Sequence, residues 1–133
     1  MDNETITKIG TIFYALVIGF FGLNHFMYGT GMAKMVPSFL PGGEFWVYIT
    51  GAALIAAAIS FLINKFTRLS GLLLALFLIL IVLTVHLPAV LNAPDYAARR
   101  FPMVNLIKDT GLAAAALLVA GSSTGARTRR VIG

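Results

Sequence analysis

The sequence predicts an all-α fold: an integral membrane four-helix bundle formed by one domain. Hydrophobic residues make up 59% of the 133-residue chain and charged residues only 11%, whereas a soluble domain carries roughly 25% charged residues. Four apolar runs each approach the roughly 20 helical residues needed to cross a hydrocarbon core, and polar or proline-containing segments separate them. We place the four spans at about residues 6–28, 43–63, 69–91 and 103–121.

The first span carries a stripe of small residues, Ala15, Gly19 and Gly22, at helical spacing. Small residues let membrane helices approach closely, so this stripe predicts a helix-packing face. Asn24 and His25 lie near the end of the span.

The segment from 30 to 42 is apolar but too short to span, and Pro37 and Pro41 interrupt it. We expect it to lie at the membrane interface, where an interfacial connector is favoured over a lid folded across the end of the bundle. The second span then begins with Glu44 and the only tryptophan, Trp46, as is typical of an aromatic belt. Its middle is rich in glycine and alanine, which predicts a central place in the bundle.

The third span is rich in leucine, so we expect much of it to face lipid. Thr84, His86 and Pro88 lie towards its end. Because proline has no N–H, Pro88 cannot bond to the carbonyl of Thr84, which predicts a kink and a free acceptor at this depth.

The fourth span carries Asn105, Lys108 and Asp109 in its first turns. Ionisable groups at membrane depth are costly and usually face a bundle interior, a partner or a wet cavity. Asn105 and Asp109 are four residues apart and share the face of Ala113, Ala116 and Ala120, so they should point at neighbouring helices. Lys108 is rotated by about 100°, and we expect its stem to run along the helix to the headgroups.

Four spans place both termini on one side of the membrane. Basic residues are more numerous on that side, which predicts N-in and C-in topology. The polar residues of all four helices then fall in the outer half, and they form a candidate pocket or ligand site that opens outwards: Asn24, His25, Glu44, His86, Asn105, Lys108 and Asp109.

Several function classes are excluded or left open by these residues. The basic residues are scattered at helix ends, which argues against nucleic-acid binding. The chain has no cysteine, so it carries no thiol redox centre or thiolate metal site. Three uses of the polar cluster stay open: a quinone or lipid ligand, a b-type haem held by His25 and His86, or a structural network that offers a docking surface to a protein partner.

Two runs resemble the DoxX family of small four-helix membrane proteins. They are GFFGLNHFMYGTGMAKMVPSFLPGGEFWVYITGAALIAAAI from Gly19 and MVNLIKDTGLAAAALLVAG from Met103. The resemblance implies a bundle in the bacterial cytoplasmic (inner) membrane and a link to quinone-dependent redox complexes such as a thiosulfate:quinone oxidoreductase. The sequence differs from the family pattern at Leu54, where many members carry a glutamate. The loss of this carboxylate weakens the case for a redox role.

The leading functional expectation is therefore an accessory membrane subunit that binds a protein partner or a hydrophobic small molecule. A quinone-linked oxidoreductase subunit is the first alternative, and whether the chain is an enzyme stays open. A small-molecule transporter is the second alternative, disfavoured because the cytoplasmic half of the bundle lacks a polar lining. Alanine-rich faces would also suit a homodimer.

Overall fold

The computed structural model describes the backbone of residues 1–132 and the side chains of residues 1–123. The described part of the chain is helical and contains no strand. Four of its helical stretches are long and apolar enough to cross a membrane. The elements are α1 Asn3–Met27, α2 Gly29–Met32, a 3₁₀ turn Ala33–Met35, α3 Gly43–Leu62, α4 Thr67–Ile81, a π-helical turn Val82–His86, α5 Leu87–Leu91 and α6 Tyr96–Ile132.

The first helix begins a few residues before the apolar run. Asp2 is its N-cap, and the carboxylate accepts a hydrogen bond from the backbone N–H of Thr5 at 2.7 Å. That bond lowers the pKa of the Asp2 carboxyl below its ordinary value because it stabilises the charged form.

The helix that contains the fourth span begins earlier than the span predicted at residues 103–121. Helix α6 begins at Tyr96 and continues through Pro102. Asp95 caps the N-terminus of this helix, because its Oδ1 atom accepts a hydrogen bond from the backbone N–H of Ala98 at 2.8 Å. Pro102 lies inside this helix, although proline removes its own N–H from the helix ladder and its ring crowds the carbonyl four residues back.

Glycine contacts join the four long helices into two pairs. In the first pair, α1 meets α3 so closely that a Cβ on Gly51 would lie 2.9 Å from the carbonyl oxygen of Gly22. In the second pair, α4 meets α6 where a Cβ on Gly71 would lie 2.8 Å from the carbonyl oxygen of Ala116. The contacts between the two pairs are sparser, along the α3–α4 and α1–α6 seams.

One half of the bundle is filled by a dry core. Tyr14 on α1 stacks on Phe61 of α3 with ring centroids 5.8 Å apart, and its hydroxyl donates to the carbonyl oxygen of Leu112 on α6 at 2.7 Å. Ile18, Leu74 and the alanines of α6 complete this core. The other half lies towards the connection 28–42 between α1 and α3. It contains the polar residues of the predicted pocket.

A π-helical turn changes the face that the third span presents to the bundle. The buried face of α4 follows Gly71, Leu74, Ala75 and Leu78, and an uninterrupted α-helix would carry it on to Val85 and Ala89. The wider turn over Val82–His86 holds an extra residue, and the N–H of Leu87 bonds five residues back to Val82. As a result, His86 and Val90 are buried in the bundle in place of Val85 and Ala89.

Thr84 lies in this π-helical turn, and its hydroxyl donates to the carbonyl oxygen of Leu80 at 2.6 Å. The distortion predicted at Pro88 is therefore present, but it takes the form of a π turn on the N-terminal side of the proline. Turns of this kind occur often at functional sites.

Candidate functional site

A cavity of about 420 Å³ lies between the two helix pairs, within the size range of small-molecule pockets. Both pairs contribute to its wall, and the connection 28–42 adds apolar side chains. Its lining comprises Ile18, Phe21, His25, Met32, Met35, Val36, Pro37, Leu40, Trp46, Val47, Thr50, Leu54, Phe77, Leu78, Ile81, Thr84, Val85, His86, Phe101, Asn105, Lys108, Asp109 and Leu112. The wall is mostly apolar, with a few polar groups.

The centre of the polar group is a buried pair between the third and fourth spans. The Nε2 atom of His86 lies 2.8 Å from Oδ2 of Asp109. His86 is 5% exposed and Asp109 is 8% exposed. Because a carboxylate oxygen can only accept, Nε2 carries the hydrogen and donates it. The prediction that Asp109 faces the bundle interior, on the stripe of Ala113, Ala116 and Ala120, is confirmed.

Lys108 extends this pair along α6. Its Nζ atom lies 3.4 Å from Oδ1 of Asp109 and 3.3 Å from Oδ1 of Asn105. It also lies 4.5 Å from the centroid of the Phe21 ring on α1, a cation–π contact. The expectation that Lys108 runs to the headgroups is wrong: the carboxylate, the amide and the aromatic face hold its ammonium group in the cavity wall.

His25 lies on the same wall but outside this cluster. Its Nδ1 atom donates to the carbonyl oxygen of Phe21, one turn back on α1, at 2.7 Å. A haem held by two histidines needs a free ring nitrogen on each. In His86 the Nε2 atom is already bonded to Asp109, so haem ligation through Nε2 would break the buried pair.

Two residues of the predicted pocket do not line the cavity. Glu44 is exposed, and its Oε1 atom accepts the hydroxyl hydrogen of Thr30 at 2.6 Å and faces the Tyr48 hydroxyl at 3.4 Å. It therefore ties the connection 28–42 to the start of α3. Asn24 is half-buried on α1 and is not part of the wall.

One buried polar atom in the cluster has no partner. Among the described side chains, Nδ1 of His86 is buried and makes no hydrogen bond. With the hydrogen on Nε2, Nδ1 is an acceptor with a free lone pair. A buried polar atom without a partner costs free energy, so Nδ1 is the unsatisfied atom of this cluster.

Sequence reasoning missed the apolar part of the site. The apolar wall includes Phe21, Trp46 and the methionines of the connection 28–42. In the sequence alone, each of them looks like an ordinary interfacial or core residue. Thr50, whose hydroxyl donates back to the carbonyl oxygen of Trp46 at 2.8 Å, was missed for the same reason. The only available signal was the apolar character of residues 30–42 between two prolines.

The described side chains of the cavity wall combine a few polar groups with a large apolar surface. Within the part of the chain whose side chains are described, no three His, Asp or Glu residues lie together as a metal site would require. The wall instead offers an ammonium group, a carboxylate and two imidazoles beside a large apolar surface. Such a site suits a molecule with an apolar body and a polar end.

Comparison with known proteins places the chain in a family other than the one its motifs suggested. Neither the curated proteins nor the solved structures yielded a match. A family model described as a domain of unknown function, DUF8561, matches residues 14–122, whereas no DoxX family model matches. The resemblance to DoxX is therefore wrong, because the apolar positions that dominate both runs recur in unrelated membrane helices. The chain belongs to the DUF8561 family.

Proposed function

We propose that this protein is a multi-pass membrane protein that binds a hydrophobic small molecule in the cavity between its two helix pairs. The observation that carries the proposal is the cavity itself, with its mostly apolar wall and the His86–Asp109–Lys108 cluster at one side. A ligand from the bilayer would bury its apolar body against Phe21 and Trp46. Its polar end would lie at the cluster.

The packing of the rest of the bundle supports binding over transport. The half that contains Tyr14 and Phe61 is filled by apolar side chains and alanines, and neither of these two aromatic residues lines the cavity. A transport path would need a polar lining through this region. A protein partner and a homodimer remain proposals to be tested on the same purified protein.

We further propose a bacterial cytoplasmic membrane as the location, with both termini on the cytoplasmic side. The support is the number of basic residues near each end of the bundle. Lys8, Lys65 and Arg68 lie at the end opposite the cavity, and the sequence adds Arg127, Arg129 and Arg130 after the fourth span. Lys34, Arg99 and Arg100 lie at the cavity end. The cavity would then be at the outer side.

Fluorescence of Trp46 offers a direct test, since it is the only tryptophan and it lines the cavity. Detergent-purified protein is titrated with 12-bromododecan-1-ol, whose bromine quenches tryptophan on contact. We expect quenching that saturates at about one molecule per chain and that unbrominated dodecanol reverses. Quenching that rises linearly without saturation would show only partition into the micelle and would overturn the proposal.

A matched pair of variants controls for quenching from the lipid-facing side of Trp46. Val85 lines the cavity, and Val85→Phe should fill part of it. Leu83 lies two residues away in the same π-helical turn, is 53% exposed and does not line the cavity. We expect Val85→Phe to abolish the saturable quenching and Leu83→Phe to preserve it. Equal behaviour of the two variants would contradict the location of the site.

A further inference from the structure

The connection 28–42 forms one end of the cavity wall. The side chains that it contributes are all apolar: Met32, Met35, Val36, Pro37 and Leu40. The His86–Asp109 pair lies nearer the other end, because Asp109 is one turn of α6 from Leu112, which packs against the dry core. A ligand whose polar end lies at this pair would therefore place its apolar body beneath the connection.

The connection is held less firmly than the helices around it. Gly29 is its one buried residue, and the side chains that line the cavity are all partly exposed. Its helical parts, α2 and the 3₁₀ turn, pack on α3, and within the described residues they make no comparable contact with α4 or α6. The connection is thus attached to one helix pair and covers a cavity that both pairs share. Segments with few buried contacts open at low cost in free energy.

Two exposed hydrogen bonds fasten the connection to the start of α3. The hydroxyl of Thr30 donates to Oε1 of Glu44 at 2.6 Å, and Nε1 of Trp46 donates to the carbonyl oxygen of Pro41 at 2.8 Å. Because both bonds are exposed, water can replace them when the connection moves. Gly42, the last residue before α3, has a φ of +84°, and its conformational freedom provides a pivot at this end.

We propose that the connection 28–42 is a lid, which opens to admit the hydrophobic ligand and closes over its apolar body. Glu44 acts as the latch that holds the lid closed through Thr30. The inference rests on the proposed ligand-binding function and adds the route by which the ligand enters and leaves. Because binding and release cross the same barrier, the lid sets both rates and leaves the Kd unchanged.

An engineered disulfide tests the lid directly, since the chain has no cysteine of its own. A Cβ on Gly43 would lie 3.5 Å from Cβ of Ala33, a separation typical of disulfides. Oxidation of the Ala33→Cys/Gly43→Cys protein therefore ties the 3₁₀ turn to the first residue of α3. The mass of the intact protein, measured after thiol labelling, establishes that the bridge has formed.

Release of the ligand is the quantity to measure. The reduced protein is loaded with 12-bromododecan-1-ol, oxidised and mixed with excess dodecanol, and recovery of Trp46 fluorescence gives the release rate. We expect oxidation to slow release at least about tenfold and to change the equilibrium Kd by less than about twofold. Subsequent reduction should restore the original rate. An unchanged release rate in the oxidised protein would overturn the lid and indicate entry between the helix pairs.

A second disulfide controls for general stiffening of the bundle. A Cβ on Gly19 would lie 3.4 Å from Cβ of Ala58, and neither residue lines the cavity. The bridge in Gly19→Cys/Ala58→Cys joins α1 to α3 away from the connection. We expect its oxidation to leave the release rate unchanged. Equal slowing by the two bridges would overturn the lid.

Removal of the latch should have the opposite effect and needs no disulfide. Thr30 does not line the cavity, and Thr30→Val removes the hydroxyl that holds Glu44. We expect release to become about threefold to tenfold faster, as the loss of one hydrogen bond implies, and Thr30→Ser to retain the wild-type rate. Thr110→Val is the control, because that hydroxyl bonds only to the carbonyl oxygen of Leu106 within α6.

The outcomes separate the lid from the function on which it rests. Wild-type release from Thr30→Val would overturn the latch, and this variant decides the matter if the cysteine pair near the connection does not bridge. Saturable quenching with unaltered release rates in both modified proteins would overturn the lid and keep the binding site. Absence of saturable quenching in the wild-type protein would overturn the proposed function itself.

Discussion

His86 donates from Nε2 to Oδ2 of Asp109 over 2.8 Å, and this bond joins the third membrane span to the fourth at buried positions. The two residues are 23 positions apart in the sequence. Their meeting depends on the π-helical turn Val82–His86, which brings the imidazole onto the buried face. The polar side of the cavity depends on this pair, because His86 holds the carboxylate that in turn contacts Lys108.

A double-mutant cycle measures the strength of the pair. We expect His86→Leu and Asp109→Leu each to lower the free energy of unfolding in micelles, with a coupling energy of about 1–2 kcal/mol between them. Each single variant leaves a buried polar partner unsatisfied, whereas the double variant removes both. Additive effects of the two substitutions would contradict a direct bond between the side chains.

Asp109 should matter more to stability than Lys108. Asp109 is buried and bonded to two side chains, whereas Lys108 is only half-buried. We expect Asp109→Leu to cost about 2–4 kcal/mol and Lys108→Leu about 1 kcal/mol. Titration with a denaturing detergent measures the free energy of unfolding of both variants under the same conditions. Equal losses would show that the carboxylate is not the centre of the cluster.

The close approach of α4 and α6 predicts a position-specific effect of a single methyl group. In Gly71→Ala the new Cβ would lie 2.8 Å from the carbonyl oxygen of Ala116 and 2.9 Å from Cβ of Ala120. The backbone must then shift, which should cost about 1–3 kcal/mol. The measurement is thermal stability in detergent.

Gly111→Ala is the matched control for this substitution. No atom lies within 4 Å of a Cβ built at Gly111, so the substitution should leave stability unchanged or raise it by up to about 1 kcal/mol. A loss at Gly111 as large as that at Gly71 would argue against the helix pairing described here.

The proposed topology can be tested with reporter fusions. A reporter after Gly133 should be active as a cytoplasmic reporter, and one inserted at residue 38, in the connection between α1 and α3, should be active on the outer side. This expectation follows from the distribution of basic residues. A periplasmic signal at the C-terminus would reverse the proposed orientation, and the cavity would then face the cytoplasm.

Apolar periodicity was enough to predict the four helices, and charge at membrane depth was enough to single out Asp109. Both signals are local and follow directly from the cost of exposing polar groups to lipid. The direction of Lys108 could not be predicted, because its flexible stem allows both the headgroups and the cavity. The ring of Phe21, which decides between them, is 87 positions away in the sequence.

The boundary of the fourth helix and the face of His86 could not be predicted for a different reason. In both places a proline was taken as a break or a simple kink, at Pro102 and at Pro88. The chain instead continues the helix after the Asp95 cap and inserts a π turn before Pro88. The local sequence does not decide between these outcomes, because a proline is compatible with a break, a kink or a π turn.

The identity of what occupies the cavity tests the central claim most directly. Wild-type, Val85→Phe and Leu83→Phe proteins are purified from the same membranes, extracted with organic solvent and compared by mass spectrometry. We expect one apolar molecule with a polar end at about one per chain in the wild-type and Leu83→Phe proteins, and its loss from Val85→Phe. Identical extracts from all three proteins, with only the lipids of the surrounding membrane, would contradict the claim that the cavity is a ligand site.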